Sequence, residues 1–168
     1  MVDTTNDGND STAELKDRAE IADVLNRYAD GMRDSDVDRL VSCFTDDAHL
    51  DYGHVTLRGL DEVRQYFSRI ASPMALDVGS PRMFDSRRVS TPVVTNVVIV
   101  LNGSVAHCES MCLAIHAGHR DGDVKIVVRG TRNIDEFART AIGWQIHARR
   151  HETLWSFEVP GSLPEPSG

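Results

Sequence analysis

The stretch VSTPVVTNVVIV, Val89 to Val100, runs on into LNGSVAH, Leu101 to His107, and this passage decides the fold. Its density of β-branched residues reads as a buried strand. Asn102-Gly103 then marks a tight hairpin, so the next strand returns antiparallel beside the first. Pro92 sits near the beginning of the strand, where an edge or first-residue position tolerates it. Three further segments continue the pattern: Val105–His116, Val124–Phe137 and Trp144–Thr153, separated by turns in GHRDGD and ARTAIG.

Upstream the periodicity changes from two to about 3.6. Ser11 with Glu14 forms a capping box, and Leu15, Ala19, Ala22, Leu25, Tyr28, Ala29 and Met32 line one face of the helix that follows. Asp36 caps a short second helix carrying Val37, Leu40, Val41 and Phe44. DDAHLDYGHVTLRG gives a turn and one or two short strands, and a third helix, Leu60–Ala71, buries Val63, Tyr66, Phe67 and Ile70. A loop rich in Pro, Gly and Ser leads to about Ser86. Helices first and a long antiparallel meander afterwards define an α+β class, with the helices on one face of a strongly curved sheet. Such a cone encloses one deep, mostly apolar pocket, the usual place for a ligand. We expect one domain over residues 11–159, with a disordered N-terminus at 1–10 and a flexible tail at 160–168.

Composition narrows the function. The net charge of −8 argues against nucleic acid or an anionic membrane as partner. No segment reaches the roughly 18 apolar residues of a membrane span, and MVDTTNDGND is too polar and acidic for a signal peptide. Three cysteines (Cys43, Cys108 and Cys112) without metal-ligand spacing suit a reducing cytoplasm. The seven histidines offer no ligand triad, and the four-residue step from His147 to His151 serves a metal on a helix rather than on a strand, so no metal is expected. No cofactor motif, such as a Gly-rich phosphate loop, is present.

EIADVLNRYADGMRDSDVDRLVSCFTDDAHLDYG, RGLDEVRQYF, TNVVIVLNGSVA and GWQIHARR together resemble the SnoaL-like, scytalone dehydratase-like branch of the nuclear transport factor 2-like superfamily, over about Glu14 to Arg150. Proteins of this type include scytalone dehydratase, bile acid dehydratases, hexachlorocyclohexane dehydrochlorinase and polyketide cyclases. The resemblance implies a cone-shaped α+β barrel and cofactor-free proton transfers, eliminations or ring closures on greasy substrates. It places the family's two pocket tyrosines on Tyr28 and Tyr52, and a pair of pocket polar residues on Thr131 and Asn133. The acid–base dyad of the dehydratases is another matter. Its aspartate falls on Arg33, and its histidine falls on Pro92, which has no titrating atom. The usual elimination mechanism therefore does not carry over.

A substitute base is expected on the neighbouring strand. His116 shares a face with Ala106, Cys108, Ser110, Cys112 and Ala114, while Glu109 lies on the other face with His107 and Met111; whichever face turns inward supplies the group. Arg129, Thr131, Asn133 and Asp135 alternate onto one face of the third long strand. In the last strand Trp144, Ile146 and Ala148 are expected on one side, His147, Arg149 and His151 on the other. The expected function is a cyclase, isomerase or dehydratase for a hydrophobic small molecule. Tyr28, Tyr52 and His116 would be catalytic, with Arg33, Asn133, Thr131, Arg129, Glu109 and Asp135 binding substrate. Alternatives are a non-catalytic small-molecule binder, a protein-interaction module, or an epoxide-opening enzyme using Asp135 and Arg129. A homodimer or homotrimer is expected.

Overall fold

The computed structural model describes residues 7–71 and 86–163, with side chains over 11–71 and 89–163. Three helices, α1 (Asp7–Asp34), α2 (Val37–Val41) and α3 (Gly59–Ala71), pack on one six-stranded sheet. The strands are β1 (Phe44–Asp51), β2 (Thr56–Arg58), β3 (Ser86–Asn102), β4 (Val105–Arg120), β5 (Asp123–Thr140) and β6 (Gly143–Pro160), in spatial order β2-β1-β6-β5-β4-β3. Neighbours run antiparallel except β1 and β6, which are parallel. The sheet is curved and unclosed, and β3 is an edge strand, which accommodates Pro92. No helix among the described residues is long and apolar enough to cross a membrane.

Several boundaries shift from the sequence expectation. The first helix begins at Asp7 rather than Ser11, so 7–10 are helical; residues 1–6, 164–168 and most of the 72–86 loop lie outside the described residues. Its buried face is Ile21, Val24 and Leu25, with Tyr28 and Met32 packed partly against the core, whereas Leu15 is exposed. Ser35 takes a left-handed conformation after the helix, and Asp36 then caps α2 by accepting from the Arg39 backbone N–H at 3.0 Å. The first long hairpin turns on Gly103-Ser104, one residue beyond the expected pair: Asn102 faces Val105, and Gly103 has φ of 63°. A positive φ at the first central position alone is the II′ pattern. The next hairpin turns on Asp121-Gly122, both with positive φ, as type I′ requires.

Across β3 to β6 the paired residues, shifted at irregularities in β3–β4 and β5–β6, set the inward side chains in successive rows. The innermost row, Leu101, Ala106, Phe137 and Ile146, joins Phe44, Ile21 and Phe67 in the closed apolar core. The next is Ile99, Cys108, Asp135, Arg149 and Leu50. Beyond it stand Ser110, Asn133 and His151, then Val94, Cys112, Thr131 and Thr153. The interior thus changes over two or three rows from large hydrophobes to polar and small side chains. Helix α1 is tied to the sheet by Trp144 Nε1 donating to Asp17, by the Asp17–Arg139 ion pair, and by Arg18 donating to the Ile99 carbonyl at 2.6 Å.

Candidate active site

A β-bulge decides which side chains of β6 enter the interior. Phe137 pairs with Ile146 and Glu136 with Ala148, leaving His147 as the extra residue of β6. A bulge shifts the two-residue alternation by one. Before it Trp144 and Ile146 face the core; after it Arg149 and His151 do, and Ala148 turns to the outer face. This corrects the expected grouping of the last strand. Arg149 and His151, absent from the sequence-derived site, stand at its centre. No signal in the linear alternation marks the bulge; only the pairing with β5 reveals it.

Arg149 and Asp135 are both essentially withdrawn from solvent and form a two-pronged ion pair, Nε–Oδ1 and Nη2–Oδ2 each 2.7 Å. Burial opposes the guanidinium charge, but Asp135, with Tyr28 and Tyr52, outweighs it and holds the arginine firmly ionised. The guanidinium carbon lies 4.3 Å from the Tyr28 ring centre, a cation–π contact. Its third nitrogen, Nη1, is buried without a hydrogen-bond partner, as is Ser110 Oγ.

Tyr28 from α1 and Tyr52 just after β1 bring their hydroxyls to 3.3 Å. Burial raises the phenol pKa of both; Arg149 works in the opposite direction on each. Tyr52 stacks on Tyr66 of α3 (centroids 5.3 Å apart) and leans on the His151 ring, also 5.3 Å away. His151 Nδ1 lies 2.7 Å from Asn133 Oδ1. Burial, then the charges of Arg149, Arg129 and His54, push its pKa down to about 4, so the imidazole is neutral near pH 7.

Among the residues singled out from sequence, Tyr28, Tyr52, Asn133 and Asp135 therefore meet in two adjacent rows, and Thr131 stands one row further on, donating to the Cys112 carbonyl. Arg129 and His116 also face inward, but His116 is six residues along β4 from Ser110, about 20 Å at the usual rise per residue. It lies in a row with Ser90 and Val127, not beside the tyrosines.

Two placements are corrected. Arg33 points to solvent, its side chain about half exposed (52%), and binds Asp34 and Asp30. Five residues past Tyr28 is about 140° around a helix, whereas Met32, four past, stays inward. Glu109 belongs to the outer face, where it forms a two-pronged pair with Arg132; Ala106, Cys108 and Ser110 take the inner face. An open depression of about 360 Å³ is lined by His49, His107, Glu136 and Arg150 and also reaches Asp135 and Arg149, but neither Tyr28 nor Tyr52 lines it.

This fold matches that of known proteins. The chain belongs to the SnoaL-like family, whose domain pattern matches residues 13–150, within the nuclear transport factor 2-like cone folds. It is 28% identical to an uncharacterized protein of Mycobacterium tuberculosis (strain H37Rv) over 149 residues, covering 85% of this chain and 88% of that one. Its structure is similar to a candidate scytalone dehydratase from Novosphingobium aromaticivorans, with TM-score 0.71, 16% identity, and coverage of 94% and 97% of the two chains. It is also similar to the type 3 hexachlorocyclohexane dehydrochlorinase of Novosphingobium barchaimii, with TM-score 0.71, 16% identity, and coverage of 94% and 99%. At these identities the likeness is one of fold.

Proposed function

We propose that the protein is a cofactor-independent acid/base enzyme, an isomerase, dehydratase or cyclase, for a hydrophobic polyketide- or polycycle-like molecule. The observation that carries this reading is the tyrosine pair: two phenolic hydroxyls 3.3 Å apart, one ring seated on a buried guanidinium. Preorganised donors in a water-poor site stabilise an oxygen that gains negative charge during reaction. Arg149 adds a positive field behind Tyr28, and its unpartnered Nη1 is a spare donor. The inward residues beyond the tyrosines are small (Ser110, Cys112, Ala114), which suits a flat molecule. Because Asp135 gives both carboxylate oxygens to Arg149, the epoxide-opening variant has no free carboxylate there.

The test uses a compound whose elimination is self-reporting. 3-Hydroxy-1-tetralone loses water to give 1-naphthol, which is followed by its fluorescence. The protein without added metal or cofactor should accelerate this, and Tyr52→Phe should lower kcat/KM at least tenfold. Binding of the naphthol product without any turnover would support the second reading, a non-catalytic binder. That reading is favoured by Arg33 and Pro92 standing where the family's dyad is expected. Self-association through the outer sheet face accompanies either reading.

A further inference from the structure

We propose that His151 is the proton acceptor of this site, held by Asn133, and that it works on the α-carbon of a neutral, enolisable ketone whose oxygen lies against Tyr28 and Tyr52. The proposal rests on the reading of the tyrosine pair given above, and it replaces a base on β3 or β4 by one on β6.

The geometry supplies the argument. The bulge at His147 turns His151 inward, in one row with Ser110 and Asn133. Asn133 Oδ1 can only accept, so the 2.7 Å contact places the proton on His151 Nδ1. Nε2 is then the basic nitrogen. The ring leans on Tyr52, whose hydroxyl meets that of Tyr28, so base and oxygen donors share one compartment.

The surrounding charges keep the ring in its basic form. Burial comes first, followed by Arg149 on the same strand, Arg129 on β5 and His54 after β1; Tyr52 is neutral and Asp135 is committed to Arg149. That last commitment also selects the ligand. Asp135 neutralises the net charge of the pair while Arg149 still lies nearer the tyrosines, so the site suits a neutral carbonyl that becomes anionic rather than a carboxylate.

In the reaction the α C–H bond breaks, its electron pair passes into the enolate, and the proton moves to Nε2. The imidazolium then returns that proton to another carbon for isomerisation, or to a departing hydroxyl for dehydration; no electrons are gained or lost. So weak a base suffices where oxygen donors stabilise the enolate.

The probe is 2-tetralone in D₂O, with loss of its α-protons followed by NMR from pD 4 to 9 above the buffer rate. We expect acceleration that is flat near neutrality and falls on an acid limb near 4. His151→Gln should lose at least 100-fold of the exchange rate while binding 2-naphthol within threefold of the parent. Asn133→Asp should move the acid limb up by a unit or more. Exchange retained in His151→Gln, naphthol binding without exchange in the parent, or ¹⁵N shifts showing Nε2–H would each overturn the assignment while leaving the pocket reading intact. Absence of both binding and exchange would remove the pocket reading and the proposal with it.

Discussion

Asp135 and Arg149 show how a single pair can fix a site and burden it. With Asp135 changed to Ala, the guanidinium is left buried and uncompensated, which costs about 3–5 kcal/mol. Urea melts should show that loss, and the double variant Asp135→Leu with Arg149→Met should recover most of it while losing the activity. Tyr52→Phe is the opposite case. It keeps the ring stacked on Tyr66 and removes one hydroxyl, so stability should change by about 1 kcal/mol or less while turnover falls at least tenfold. Among residues, the shared face of Thr131, Asn133 and Asp135 followed from strand alternation along β5, whereas Tyr28 and Tyr52 were named only through the family resemblance. Arg149 and His151 were not legible, because a bulge is a property of paired strands and leaves no mark in one strand read alone.

Elements explain how those residues are aimed. Gly130 on β5 lies beneath Trp155, and a Cβ there would overlap the indole. Gly130→Ala should displace Trp155 and cost about 1–3 kcal/mol, read as a lower Tm with a shifted tryptophan emission. The strand carrying His151 also sets a pH dependence. Its folded pKa of about 4 lies below the unfolded value of roughly 6.5, so the unfolded state binds more protons between those limits. Stability is then fully present above about 6.5 and falls as the pH drops toward 4. The loss is on the order of 2 kcal/mol after allowance for partial exposure; it should vanish in His151→Gln, as denaturant melts at pH 7 and pH 4.5 would show. The helices, the hairpins and the long strands follow from periodicity and turn chemistry. The parallel pairing of β1 with β6 does not, since its partners lie about a hundred residues apart and no local signal joins them.

For the whole molecule, the concave side of the sheet holds the site and the helices, while the convex side presents apolar rows. Val93, Leu113 and Trp155 line up across the strands beside Ile115, Val128 and Phe157, and Trp155 stacks on Phe157 with both about half exposed. A face of this kind marks an association surface, and we expect copies of the chain to pair through it. Light scattering should give a mass of two or three chains for the parent and one for Trp155→Ser with Phe157→Ser, with tetralone exchange unchanged. Whether oxygen chemistry happens at the tyrosine pair is read most directly from a crystal structure with 2-naphthol bound. Its hydroxyl should lie within hydrogen-bond reach of Tyr28 and Tyr52, with the ring edge toward His151 Nε2. A naphthol seated in the depression beside His107 and Arg150, with the tyrosines untouched, would contradict chemistry at that pair.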